Sequence, residues 1–240
     1  MRLTIGWLYP SRMNIYGDRG NVIALQRRAQ WRHIDARVVH VDVGDDLPAD
    51  VDVFFFGGGQ DQEQETVARD LAGTKAEGLH AAIEAGASLL SVCGGYQLLG
   101  HRYHPHGAEP LPGIGLFDAE TVAGPERFIG NVVIDSQWGE LVGFENHSGL
   151  TYLGEEAQPM GSVRVGRGNN GVDGSEGVIY RNAIGCYLHG SLLPKNPVLT
   201  DWLIRVALER RGDSLPEIEL DSDLEGAAHL SAVERAIKTG

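Results

Sequence analysis

The sequence holds only two cysteines in 240 residues, Cys93 and Cys186. They sit in such different contexts that they fit a reducing compartment better than a disulfide scaffold. No apolar run reaches the length of a membrane span. The N-terminal stretch MRLTIGWLYPSRMNIYG offers one leading basic residue and an apolar run too short for a signal peptide. A soluble, cytoplasmic protein is expected, without membrane insertion, and the NHS sequon at Asn146 is not read as a glycan acceptor. Positive charge is short: 20 Lys and Arg stand against 33 Asp and Glu, a net charge of -13. Such a surface repels phosphates and anionic headgroups, so nucleic acid is excluded as a direct partner. No G-x-x-x-x-G-K-[ST] run exists, so ATP chemistry is not encoded in this chain. GRGNNG, at 166–171, matches G-x-G-x-x-G literally. VDGSEG follows it where a dinucleotide site needs a helix, so it is read as a turn. HRYHPH, with His101, His104 and His106, is read as an exposed stretch after a helix, and no metal is expected.

Hydrophobic residues make up 42% of the chain and glycines number 33, which suits a real core with many tight turns. One α/β domain over 1–240 is expected; two smaller ones are possible but not required. The first half alternates strand and helix. RLTIGWLY (2–9), ARVVHVDV (36–43), VDVFFFGGG (51–59) and ASLLSV (87–92) read as strands. Segments 20–32, 62–73, 75–86 and 94–101 read as helices. Such units imply a mostly parallel sheet with helices on both faces. After residue 105 the pattern becomes short strands at regular spacing, an antiparallel extension of that sheet. Two helices close the chain. NPVLTDWLIRVALERRG has Asn196 as N-cap, Pro197 at N1 and Gly212 past its end, with Val198, Leu199, Trp202, Leu203 and Val206 on one stripe. The last, about 223–238, carries Leu230, Val233 and Ile237.

Cys93 lies where one of these strands meets a helix, in SVCGGYQLLG. Ligands of open parallel sheets sit beyond the carboxyl ends of the strands. A nucleophile on a sharp strand-to-helix turn needs small residues two before and two after it, and Ser91 and Gly95 supply them. The backbone N–H of Gly94 would then face an oxyanion forming on the substrate carbon. A buried core thiol is the plainer alternative. A nucleophilic cysteine needs a base, and His189, in GCYLHGS at the end of another apolar strand, is the candidate if the two strands lie close together. Gly57, Gly58 and Gly59 end a further buried strand and could turn N–H groups toward a ligand. YGDRGN, at 16–21, is read first as a helix cap, with Asp18 at the helix N-terminus beside Arg19.

A glycine-rich strand end, a small-x-Cys-Gly-Gly-x-Gln-Leu elbow and a strand-end histidine together resemble the class I, triad-type glutamine amidotransferases. GGGQDQEQ, CGGYQLLG, GFENHSG and GCYLHGSLLPKNPVLTDWLI are similar, more narrowly, to the GatD-type branch, the small glutaminase subunits of bacterial lipid II isoglutaminyl synthases. That branch is a sister of the cobyric acid synthase glutaminase domains. The likeness runs from Trp7 to Leu203. It implies a flavodoxin-like fold and hydrolysis of L-glutamine to glutamate and ammonia. Cys93 would attack the amide and His189 would serve as base. Gly58 or Gly59, with Gly94, would form the oxyanion hole. Gln97 would contact the substrate or brace its pocket, and Arg127, in GPERFIGN, would hold the α-carboxylate. The resemblance also implies a heterodimer. The ammonia would pass to an ATP-using, Mur-ligase-like partner of the MurT type that amidates D-glutamate of the lipid II stem peptide. A corrin acceptor of the cobyrinate kind, or a weakly active binding subunit, are the alternatives.

One position departs from the wider superfamily. Most triad-type members carry an acid two residues after the histidine, and here Ser191 stands there. A Cys–His dyad, or an acid from elsewhere such as Glu145, is left open, and a slow free subunit is expected.

Overall fold

The computed structural model describes residues 1–15 and 17–239, with the side chains of Asp61 and Gln62 left aside. The first half runs β1 (Arg2–Leu8), α1 (Arg19–Trp31), β2 (Asp35–Val41), β3 (Val53–Phe56), α2 (Asp61–Asp70), a π-turn (Leu71–Lys75), α3 (Ala76–Glu84), β4 (Ser88–Val92) and α4 (Gly94–Leu99). The second half runs β5 (Arg102–His104), β6 (Leu111–Pro112), β7 (Ala119–Ser136), β8 (Gly139–Leu153), β9 (Gly161–Val165), β10 (Ser175–Glu176), β11 (Val178–Tyr180) and β12 (Ala183–Cys186). It closes with α5 (Leu192–Lys195), α6 (Pro197–Glu209) and α7 (Asp223–Thr239).

Two sheets share the work. The first has the order β11-β12-β4-β3-β1-β2 and is parallel except for β11. β3 and β4 are buried along their whole length, because helices cover both faces. The chain moves one way from β1 to β2 and the other way from β3 to β4. Right-handed crossovers therefore send α1 and α3 to opposite faces. The crevice at this reversal, beyond the carboxyl ends of β1, β3 and β4, is where such folds place ligands. This is the flavodoxin-like arrangement expected.

The antiparallel strands exist, but as a second sheet rather than an extension of the first. β7 and β8 form a long hairpin, with β5, β6, β9 and β10 completing that sheet. Where short strands were expected after residue 105, β7 is one long strand, paired to β8 across an irregularity between Ala123 and Phe128. An isolated bridge, Phe144 to His189, joins the two sheets. A single cluster of buried apolar side chains runs through both, from Leu3 and Phe55 to Val132 and Leu141.

Several helix details differ from expectation. Segments 62–73 and 75–86 run together through the π-turn, which brings buried Lys75 against Asp70. Asp70 also accepts from the Tyr9 hydroxyl at 2.8 Å. Asn196 does not cap α6 with its side chain. Its amide instead pins Val142 of β8, accepting from Val142 N at 3.0 Å and donating to Val142 O at 2.9 Å. The buried stripe of α6 is Leu199, Thr200, Leu203, Ile204, Ala207 and Leu208, while Val198 faces solvent. In α7, Val233 and Ala236 pack on Val133 and Val142, and Leu230 and Ile237 stay exposed.

Three helices are tied by charge. Arg28 of α1 is almost wholly buried and forks onto Asp201 of α6 at 2.6 and 2.8 Å, and also meets Glu225 of α7. Arg32 reaches the same Asp201 at 2.7 Å. Two donors on one planar group fit two carboxylate oxygens, so the geometry is specific. Removing the shared anion would take the carboxylate from buried Arg32 and leave buried Arg28 with Glu225 alone. Asp201→Ala is therefore expected to lower stability by about 3 kcal/mol. A denaturant midpoint equal to that of the parent would contradict this.

Candidate active site

Residue 93 adopts φ 52° and ψ -110°, a conformation that a side-chain-bearing residue holds only under constraint, at about 1–3 kcal/mol. The constraint is visible on both sides. Cys93 N–H donates to Cys186 O at 2.9 Å, and Ser91 Oγ donates to Ile184 O at 3.1 Å, locking the elbow to β12. Gly95 lies so close to β3 that a Cβ there would come within 2.6 Å of Phe56 O. The elbow is thus wedged between two strands, with the buried Cys93 at its tip. Cys186 is a core filler: it is wholly buried, and burial raises its thiol well above the usual range.

β12 pairs parallel with β4, Cys186 opposite Val92, so the two strand ends lie side by side. His189 follows three residues later, held by paired backbone bonds to Phe144 at 3.1 and 2.8 Å. Its imidazole lies beside the Cys93 thiol, close enough to interact with it directly. The required proximity of the two strands is therefore met.

The carboxylate beside His189 comes from residue 18, not from the backbone after the histidine. Asp18 is wholly buried. One carboxylate oxygen lies 3.4 Å from His189 Nδ1, and the other accepts the Gly58 N–H at 2.8 Å. Expected as a helix cap, Asp18 occupies the N-cap position of α1 but makes no side-chain cap bond. Ser191, where an acid is usual, donates its hydroxyl to Gly17 O at 2.5 Å and so draws the Asp18 loop against His189. Tyr16 of the same segment lies outside the described residues. Glu145, the acid weighed earlier, accepts instead from Arg167 N–H at 3.0 Å and Gly168 N–H at 3.1 Å, inside the GRGNNG turn. The signal for Asp18 was its placement after β1, at the crevice of the sheet.

Burial opposes charging His189, but the neighbouring Cys93 sulfur and Asp18 carboxylate outweigh it and lift the imidazole to about 10. Of the expected N–H donors, Gly58 is taken by Asp18, which leaves Gly59 and Gly94. Gly58 is a glycine for another reason: a Cβ there would lie 3.0 Å from His189 Cε1 and 3.3 Å from Cys93 Cβ.

Cys93 opens onto a cleft of about 300 Å³ shared with Gly59, Gln64, Gln97, Arg127 and His147. Both sheets build it. Arg127, on β7, is held by Asn146 O and Oδ1 at 3.3 and 3.2 Å. Gln97 is buried on α4 and donates to the Tyr187 hydroxyl at 3.2 Å. His147, not singled out in the sequence, lies flat on Tyr187 with ring centroids 3.5 Å apart. His101 and His106 are engaged elsewhere, with Asp118 Oδ1 at 3.0 Å and Gly124 O at 2.7 Å.

Fold and site together define a class: a doubly wound α/β protein with a strained cysteine, a buried histidine and an acid in series over an arginine-bearing cleft. Residues 4–197 match the model of the CobB/CobQ-like glutamine amidotransferase domain, and the chain belongs to that family. It is 42% identical over 237 residues to "Lipid II isoglutaminyl synthase (glutamine-hydrolyzing) subunit GatD" of Staphylococcus aureus (strain N315), covering 98% of this chain and 96% of that one. It is 37% identical to the subunit of the same name from Streptococcus pneumoniae (strain ATCC BAA-255 / R6), covering 88% and 82%. A crystal structure of a glutamine amidotransferase superposes with TM-score 0.58 at 17% identity, covering 85% of this chain and 98% of that one, and shows the shared fold.

The charge relation has a pH signature. Because the His189 pKa is raised, the imidazolium persists below about 10 and is lost as pH rises through that value. Alkylation of Cys93 by iodoacetamide should show no inflection near 6.5, the ordinary histidine value. Asp18→Asn removes a negative neighbour and should move the alkaline change to lower pH. A wild-type inflection near 6.5, or an unmoved profile in Asp18→Asn, would count against this arrangement.

Proposed function

We propose that the chain is the glutaminase subunit of a lipid II-amidating enzyme. The carrying observation is the series Cys93–His189–Asp18 at the mouth of a cleft that also holds Arg127. In this reading Arg127 receives the α-carboxylate of L-glutamine through two parallel N–H donors. The Cys93 sulfur attacks the side-chain carbonyl carbon. The N–H groups of Gly94 and Gly59 receive the oxyanion, and Gln97 braces the pocket floor through Tyr187. His189 transfers its proton to the leaving nitrogen, releasing ammonia and a thioester. Water, deprotonated by His189, then cleaves the thioester to glutamate. Asp18 keeps the ring oriented throughout, a role that leaves the backbone after His189 free of any acid.

Ammonia needs an activated acceptor, because a free carboxylate does not react with an amine. The activating ATP step belongs, on this proposal, to a Mur-ligase-like partner of the MurT type, which amidates the D-glutamate α-carboxyl of the stem peptide. No cofactor is assigned to this chain. The two subunits it resembles, each named as part of a lipid II isoglutaminyl synthase, support that acceptor. Among the described residues no helix is long and apolar enough to cross a membrane.

Cys93→Ala should abolish ammonia release from glutamine in the purified complex, measured by a coupled glutamate assay. Persistent release from that variant would refute the nucleophile. Arg127→Ala should raise the glutamine KM about tenfold or more with a smaller change in kcat. An unchanged KM would remove Arg127 from the carboxylate site.

A further inference from the structure

The cleft contains a buried acceptor with no partner. His147 is 2% exposed, and its Nε2 makes no hydrogen bond although the ring lines the cleft beside Cys93. Its other nitrogen, Nδ1, lies 2.7 Å from Gly149 O. A carbonyl only accepts, so Nδ1 carries the proton and Nε2 presents a lone pair. The ring cannot turn away. It stacks on Tyr187 at an interplanar angle of 5° and meets Phe128 edge-on, with centroids 5.4 Å apart. Burial also depresses its pKa to about 3, so the lone pair is not protonated at working pH. An unpaired buried acceptor is unfavourable unless something donates to it.

Its position says what that donor is. His147 of β8 pairs across the strands with Phe128 of β7, the residue after Arg127. Asn146, the residue before His147, holds the Arg127 guanidinium. A carboxylate-binding cation and a neutral acceptor therefore lie side by side on one wall. An α-amino acid carries a carboxylate and an ammonium on one carbon, in the complementary order. The second unpaired acceptor of the cleft, Gln64 Oε1, belongs to the elbow end: a Cβ on Gly94 would come within 2.8 Å of the Gln64 amide nitrogen. That end faces the carboxamide, which leaves His147 for the other.

We infer that His147 Nε2 accepts a hydrogen bond from the α-ammonium of the substrate amino acid and so restricts the site to free α-amino acids. The inference rests on the glutaminase reading above and adds to it the residue that recognises the substrate's amine.

The test compares L-glutamine with glutaramate, which has the same chain without the α-amino group, using the full chain with its co-purified partner. Wild type should favour glutamine by about 30-fold or more in kcat/KM, the effect of a charge-assisted hydrogen bond in a buried site. His147→Phe keeps a flat ring on Tyr187 but has no acceptor. It should shrink that preference to about threefold or less, chiefly by raising the glutamine KM. His147→Leu, read the same way, serves if the first variant does not fold. A preference as large in the variant as in wild type overturns the inference, as does a wild type that treats the two substrates alike. Wild type that hydrolyses neither would instead overturn the glutaminase reading.

Discussion

The site depends on one carboxylate. Asp18 holds His189 with one oxygen and the Gly58 amide with the other, and through them it fixes the base and the end of β3 against the cysteine elbow. A buried anion is tolerated only when its lone pairs are matched. Here the matching groups follow two separate strands, β12 and β3, so satisfying the carboxylate and assembling the site are the same event. Ser191 and Asn21 fasten this arrangement from outside, donating to Gly17 O and accepting from Leu193 N–H.

Much of this was legible in the chain because it rests on local chemistry. SVCGGYQLLG marked a strand-to-helix turn through Ser91 and Gly95, and the structure puts a positive φ at Cys93. The apolar run at 51–56 announced a strand buried on both faces. His189 stood at a strand end, and β12 does lie beside β4. What stayed hidden depends on distant pairing. Nothing local distinguishes Asp18 as a helix cap from Asp18 as a partner of a histidine 171 positions away. His147 was likewise invisible, since its role comes from stacking on Tyr187 and from a missing partner, which no pattern of residue types encodes. The second sheet was misjudged for the same reason: short strand signals do not tell whether an edge is extended or a new sheet begun.

The two sheets divide the labour. The parallel sheet supplies the reactive groups from its carboxyl edge, where loops can converge on a ligand. The hairpin of β7 and β8 supplies Arg127 and His147: His147 pairs with Phe128, and Arg127, just before it at the end of the irregularity, is held by Asn146. On the proposed reading, reactivity and recognition are held by separate scaffolds that meet at the bridge between Phe144 and His189. The buried cluster of Arg28, Asp201 and Glu225 then ties α1, whose N-terminus bears Asp18, to the helices that follow His189.

The distance in sequence between Asp18 and His189 has a consequence for how the protein is made. Chain emerges from synthesis N-terminus first, and domains of this size fold as it appears. The elbow is complete once about a third to a half of the chain has appeared, with Asp18 already made but His189 still to come. Only after β12 has docked beside β4 does the ring arrive, so the cysteine gains its partner late and in one step. The cysteine and the histidine are therefore brought together only as the parallel sheet is completed.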